Sequence, residues 1–274
     1  GSFRMEKRML TPKEIAMATC DAGAAKAKLS IAQMMVLGIF AGVFIGFGAQ
    51  GAITIGQTLA KVDTGLQKFA FAGAFPVGLM LVVICGAELF TGNNLMTLGC
   101  LNCRYKVSDI LRNWFFVYTA NFIGSVILAA IIANTGLMAA GTPIAESAIK
   151  IASNKVAIPF GAAVLRGILC NIMVVLAVWM ATGAKDVISK IFACWFPIML
   201  FVLCGYEHSV ANMYFIPLGM FLGAPVTWGQ IWINNLIPVT IGNLIGGALI
   251  VPLFYHVAYM KAPTAAAPTK DAKA

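Results

Sequence analysis

Charge is scarce in this sequence, and negative charge scarcest: 11% of its 274 residues are charged, with 10 Asp and Glu against 19 Lys and Arg. Soluble domains carry ~25% charged residues. This chain could not cover a water-facing surface with polar groups, so a soluble globular protein is excluded. Disorder is excluded as well, because 60% of the residues are apolar. There are only 2 His, and no second Cys or His pair follows Cys100-Leu101-Asn102-Cys103 at zinc spacing, so no metal site is expected. No phosphate-cradling loop occurs, nor a nucleophile with a base and an orienting acid, so neither an enzyme nor a cofactor is expected. No secretory signal with a small-residue cleavage site precedes the first apolar run.

What the chain does have is apolar length. Its mean hydropathy is +0.88, and six stretches, roughly 31–58, 69–99, 110–136, 157–182, 188–222 and 230–260, are long enough to span a bilayer. The expectation is an all-α integral membrane protein with lipid as its solvent. The second and fifth stretches are too long for one straight helix and carry polar and acidic residues mid-segment, CGAELFTGNN at 85–94 and CGYEHSVAN at 204–212. Irregular backbone at membrane depth survives only inside protein or beside a watery cavity, so both read as broken helices. Residues 1–4 read as a cloning remnant before Met5, residues 5–30 as a cytoplasmic segment with an interfacial helix, and 261–274 as a disordered cytoplasmic tail. Placing the N-terminus inside leaves only Lys61, Lys68, Lys150 and Lys155 outside, with Arg166 within a span. Both termini are therefore expected in the cytoplasm, and the net charge of +9 is read as orientation in the inner membrane, not as nucleic-acid binding.

The two halves, about 31–136 and 157–260, repeat one another. Cys85, Gly86, Glu88 and Asn93 reappear as Cys204, Gly205, Glu207 and Asn212, and downstream Asn113, Asn121 and Gly124 as Asn235, Asn243 and Gly246. Each half holds three spans, an odd number, so the second copy must insert upside down. Inverted repeats with broken helices place a permeation site near the midplane between the halves. Glu88 and Glu207, at equivalent positions, are expected to act structurally by accepting hydrogen bonds from backbone N–H groups freed at the breaks. His208 has no counterpart, since Leu89 stands at its matching position. A lone buried His is usually a satisfied core residue; its place in a break beside Glu207, Ser209 and Asn212 favours a functional role.

GAELFTGN at 86–93, GYEHSVANMYFIPLG at 205–219 and NLIPVTIGNLIGG at 235–247 resemble the signature segments of the formate/nitrite transporter family, and KAKLS at 26–30 and GILCNIMVVLAVWM at 167–180 match as well. The resemblance runs from about Thr11 to Tyr259. It implies a pentamer of aquaporin-like six-helix protomers, each with its own pore for small monovalent anions: formate, nitrite, hydrosulfide, and in some members acetate or lactate. It also implies roles by position. His208 resembles the central pore histidine, with Thr91 across from it and Asn171 and Asn212 nearby. Phe75, Leu79 and Phe201 resemble one apolar constriction, Leu89 and Phe90 the region of the other, and Lys26 and Lys155 the vestibule lysines. Arg166 departs from the pattern, at a position usually apolar in the formate branch, and Glu88 replaces the Asp common there.

Three readings follow. The first is a channel passing anions of weak acids, with His208 exchanging a proton with the permeant. The second is a proton-coupled anion symporter, which sequence does not separate from a channel. The third, an aquaporin-like neutral-solute facilitator, normally shows Asn-Pro-Ala at both breaks, and Asn-Pro occurs nowhere in the chain.

Overall fold

In the computed structural model, residues 6–261 are described; the expected remnant and nearly all of the expected tail lie outside them. The described residues are almost wholly helical, with one isolated bridge between Met9 and Ala184. Among the described residues, besides short 3-10 turns at Leu59–Lys61 and Gly92–Leu95, ten helices follow one another. The first five are α1 (Pro12–Ala27), α2 (Ile31–Gly56), α3 (Thr64–Gly86), α4 (Met96–Leu101) and α5 (Val107–Ala133). The second five are α6 (Pro143–Val156), α7 (Phe160–Gly183), α8 (Val187–Leu203), α9 (Ser209–Phe221) and α10 (Trp228–Met260). Element by element, the second five repeat the first five.

Among the described residues, 5 helices are long and apolar enough to cross a membrane unaided. The remaining crossing is shared by α8, of 17 residues, and α9, of 13. The protein is a multi-pass membrane protein. Its outer face carries large exposed apolar side chains such as Phe115, Ile233 and Phe254, which water would not tolerate as one belt and lipid does.

Local signals set the helix starts. Thr11 and Glu14 form a capping box at α1, with Pro12 in the first turn, and Ser30 and Gln33 form another at α2. The segment between the third and fourth spans, outside both expected halves, holds the helix α6. Its signal was there: Thr142-Pro143 repeats Thr11-Pro12, and Thr142 caps α6 as Thr11 caps α1. The repeat therefore begins earlier in each half than expected, at Pro12 and Pro143, and each half is a short helix followed by three spans. Neither short helix lies free at the interface: α1 buries Ile15, Ala16, Thr19, Cys20 and Gly23, and α6 buries Ala145, Ala148 and Ala152.

Small residues let the spans touch. Along α2, Gly38 faces Ala120, Gly42 faces Asn121 and Ser125, and Gly46 faces Leu128, all on α5. In the other half, Gly242 and Gly246 of α10 lie against the backbone of α7. The halves are joined to each other by side chains. Tyr214 Oη donates to Gln50 Oε1 at 2.7 Å, Tyr118 Oη and Thr240 Oγ1 lie 2.9 Å apart, and Trp195 Nε1 donates to the Gly73 carbonyl at 3.0 Å.

Both expected breaks are present and are built alike. The chain leaves α3 through Gly86 and leaves α8 through Gly205, both in the left-handed region with φ of 100° and 79°. No side-chain atom would meet a Cβ at either position, so backbone conformation alone selects glycine there. Each turn closes with a wide bond, Ala87 N–H to the Val82 carbonyl at 3.1 Å and Tyr206 N–H to the Phe201 carbonyl at 3.0 Å.

Candidate pore and its supports

A broken helix leaves backbone groups without partners, and at membrane depth each orphan is costly. One asparagine per half takes them up. Asn121 of α5 accepts from Phe90 N–H at 2.9 Å and donates to the carbonyls of Gly38 and Glu88 at 2.7 and 2.9 Å. Asn243 of α10 accepts from Ser209 N–H at 2.9 Å and donates to the carbonyls of Gly167 and Glu207 at 2.8 and 3.0 Å. The clamp that holds one loop is copied, bond for bond, at the other.

The acidic residues do a different job from the one expected. Their carboxylates take side-chain donors, not backbone N–H groups. Glu88 accepts from Lys26 Nζ at 2.8 and 2.9 Å and from Asn93 Nδ2 at 3.0 Å. Glu207 accepts from Lys155 Nζ at 2.9 and 3.1 Å and from Asn212 Nδ2 at 2.9 Å. Each circuit closes through another asparagine. Asn93 donates to Asn113 and Asn113 to the Lys26 carbonyl; Asn212 donates to Asn235 and Asn235 to the Lys155 carbonyl. The two lysines are therefore half-buried members of ion pairs, not free cations, and much of their field is offset by the glutamates. Lys155 Nζ also sits 5.3 Å from the centre of the Phe215 ring.

Between these circuits lies His208, buried with Thr91. His208 Nε2 and Thr91 Oγ1 are 2.7 Å apart. The other ring nitrogen is committed: Nδ1 accepts from Ala211 N–H at 2.9 Å and so caps α9. An acceptor at Nδ1 fixes the neutral tautomer, with its proton on Nε2 and donated to Thr91. The Thr91 hydroxyl proton remains for a third group.

Two cavities adjoin this region, one lined by His208 and one by Leu89 and Gly92, which flank Thr91 in the chain. One, of about 120 Å³, is lined by Phe75, Lys155, Phe201, Glu207, His208 and Asn212 among others. Phe75 and Phe201 meet edge to face there, and the Phe201 ring lies over the His208 imidazole with centroids 5.9 Å apart. The other cavity, of about 300 Å³, is lined by Lys26, Leu79, Glu88, Leu89 and Asn93 among others. A wider vestibule of about 890 Å³ shares Lys155 and Glu207 with the smaller cavity and adds Lys61, Lys68, Lys150 and Arg166.

Three expected placements change. Leu79 lines the Lys26-side cavity with Leu89, not the Phe75–Phe201 side. Phe90 lines neither cavity; its ring packs edge-on against Trp114 and Tyr118 at 6.0 and 4.8 Å, while its backbone serves the Asn121 clamp. Asn212 lines the His208 cavity as expected, whereas Asn171 lines neither cavity. The amide of Asn171 reaches the Thr91 carbonyl, Asn94 Oδ1 and the Asn243 carbonyl, so it holds the first loop against the second half. Asn94, its partner on the loop, was missed, because nothing in its own neighbourhood marks it.

A deviation from the repeat explains how Asn171 fits. The position matching it in the first half is Gly42, which faces Ser125; Asn171 instead faces Gly247, the match of Ser125. Bulk has moved from one helix to the other, and the space of one missing side chain admits an amide that reaches the loop.

The family model described as Formate/nitrite transporter matches residues 13–257. A probable formate transporter of Methanothermobacter thermautotrophicus is 42% identical over 92% of this chain and 97% of its own length. The formate channel FocA of Escherichia coli K12 is 34% identical over 92% of this chain and 95% of its own. Among solved structures, a pentameric formate channel with formate bound aligns with a TM-score of 0.75 at 32% identity, covering 84% of this chain and 98% of that one. A channel described as an FNT family ion channel aligns with a TM-score of 0.82 at 30% identity, covering 89% and 98%. With its signature segments at the two loops and the family match spanning nearly every described helix, this chain belongs to the formate/nitrite transporter family.

Proposed function

We propose that the protein is a pentameric channel, each protomer passing small monovalent anions of weak acids, formate first and hydrosulfide and nitrite beside it. Its termini face the cytoplasm, so the Lys26 cavity opens inward and the Lys155 vestibule outward. The observation that carries this reading is the buried Thr91–His208 hydrogen bond, with His208 lining one cavity beside Phe75 and Phe201, and Leu89 and Gly92, on either side of Thr91 in the chain, lining the other. A bare anion in such a passage forfeits its hydration and is driven to find a hydrogen-bond donor or a proton. The Thr91 hydroxyl supplies the donor.

His208 supplies the proton on stated terms. A second proton entering the ring at Nδ1 displaces the Ala211 N–H, at a cost on the order of 1 kcal/mol for a lost helix cap. An anion beside the ring offsets that cost by its charge, so proton uptake is coupled to occupancy. The Nε2 proton then passes to Thr91 Oγ1 as the hydroxyl proton passes to the anion, and the neutral acid crosses the leucine side. Released there, it gives its proton to water; the ring, left protonated at Nδ1 alone, loses that proton to water while Nε2 takes one from water through the Thr91 hydroxyl, which restores the Nε2–H tautomer. One proton accompanies one anion.

The discriminating variant is His208→Asn. Asparagine is a good helix cap and carries no exchangeable ring proton, so it keeps α9 in place and removes the relay. In proteoliposomes given formate, nitrite, hydrosulfide or chloride, the wild type should prefer the weak-acid anions, with flux rising as pH falls. His208→Asn should assemble and lose that pH dependence. A well-assembled variant with wild-type selectivity and pH profile would reduce His208 to a helix cap.

A further inference from the structure

The two mouths of the passage are not electrostatic equals, although the backbone around them is. Leu37 and Arg166 are repeat partners: the Leu37 carbonyl accepts from Glu88 N–H at 3.1 Å and the Arg166 carbonyl from Glu207 N–H at 3.2 Å. Leu37 lines the Lys26 cavity and Arg166 the vestibule at the other mouth. At this one matched position, an alkyl group at one end becomes a guanidinium at the other.

The vestibule concentrates this difference. Lys61, Lys68, Lys150 and Arg166 all line it, and among the described residues none of these four enters an ion pair. Lys155 is balanced by Glu207, which leaves Glu146 as the only acid in the lining to oppose the four cations. The Lys26 cavity, by contrast, has one cation, and Glu88 pairs with it. Size matters equally. The vestibule holds about 890 Å³ and narrows to a cavity of about 120 Å³ walled by Phe71, Phe75 and Phe201. A volume several times that of a formate ion, lined with unpaired cations and closed below by aromatic rings, suits an anion that can enter and cannot pass.

We propose that this vestibule is a one-sided blocking site for compact multivalent oxyanions bearing two or three carboxylate groups. Arg166 holds one carboxylate in a bidentate pair, its planar fork matching the group, and Lys150 and Lys68 hold the others. The bound polyanion plugs the aromatic neck and occupies the field that would draw in a monovalent anion. Among the described residues the Lys26 mouth has no such set of unpaired cations, so the block acts from the Arg166 side.

The inference rests on the proposed channel activity, and the experiment separates the two. Formate current or flux is measured across a bilayer holding protein inserted in one orientation, with citrate added to one side and ionic strength matched by chloride salt. Citrate on the Arg166 side should suppress formate flux; citrate on the Lys26 side should leave it near the chloride control. Arg166→Leu, which installs the residue of the matching position, should weaken the block roughly tenfold, the scale of one charge-assisted pair, and Arg166→Lys should restore part of it. Calorimetric titration of citrate into detergent-solubilised protein should show the same order of affinities without relying on flux. If Arg166→Leu does not assemble, Lys68→Gln with Lys150→Gln at the exposed rim replaces it. Absence of formate flux would fail the channel reading. Flux with equal block from both sides, or an unchanged block in Arg166→Leu and in the rim variant, would overturn this one.

Discussion

Removing one loop clamp should cost far more than an ordinary polar substitution, and equally in both halves. Asn243→Ala deletes bonds of 2.9, 2.8 and 3.0 Å to Ser209 N–H and the carbonyls of Gly167 and Glu207. Each such bond is worth about 1 kcal/mol net, and a buried backbone group left unpaired costs about 1–3 kcal/mol. With the Ser209 N–H and the Glu207 carbonyl orphaned, the Gly167 carbonyl lying inside α7, and some relief from water entering the gap, the expected loss is about 3–5 kcal/mol, in the diagnostic tail of single substitutions. Asn121→Ala removes the matching bonds of 2.9, 2.7 and 2.9 Å and should lose the same amount. Asn243→Asp is worse than alanine near neutral pH, because it turns the donating amide into an oxygen facing two carbonyls; acid should recover part of the loss by protonating it. Thermal unfolding of purified protein, followed by tryptophan fluorescence with size-exclusion analysis of assembly, reads all three. Both alanine variants should melt roughly 10 °C lower, taking 2–4 °C per kcal/mol for a chain of this size. A shift under about 2 °C in either, or a large inequality between them, would refute the claim that asparagine holds the breaks.

Further outcomes follow from the same geometry. Gly86→Ala and Gly205→Ala meet no steric obstacle, so each should lose only the left-handed backbone penalty of about 1–2 kcal/mol, measured by the same melt. Glu207→Ala strands Lys155 and an Asn212 donor and should destabilise by about 2–4 kcal/mol, and Lys155→Met added to it should return part of that, a non-additivity a double-mutant cycle detects. Outside the spans, Lys7 and Thr11 hold the Glu14 carboxyl well below its ordinary value of 4.5, at about 2. A depressed carboxyl stabilises the start of α1 above its unfolded value and loses that as pH falls through about 2. Hydrogen exchange at the first turn of α1 should therefore quicken over that window in the wild type and not in Glu14→Gln.

Much of this was legible in the sequence, for identifiable reasons. A polar run inside an apolar span has one tolerable explanation in lipid, so CGAELFTGNN and CGYEHSVAN announced both breaks, and the asparagines repeating downstream announced their supports. The partners of those supports were not legible. Lys26 lies 62 residues from Glu88 and Lys155 lies 52 from Glu207, and no periodicity connects groups brought together by folding over a bilayer. Side-chain direction was equally hidden. Leu89 and Phe90 are neighbours, yet at an extended break one faces the passage and the other faces Trp114 and Tyr118. Helix α6 is legible too, because the Thr-Pro start of α1 recurs at Thr142-Pro143.

The seam between the halves decides what kind of motion can accompany passage. Thr91 bonds His208, Asn171 holds the first loop through the Thr91 carbonyl and Asn94, and Tyr214–Gln50, Tyr118–Thr240 and Trp195–Gly73 stitch the two halves at separate points. A rocking cycle that exposed the centre alternately to each side would have to part these bonds together, once per turnover, the buried Thr91–His208 and Asn171 bonds among them. A stationary lumen parts none. Transport through it should follow the gradient with a shallow temperature coefficient and no counterflow stimulation, the kinetic marks that set a conduit apart from a carrier.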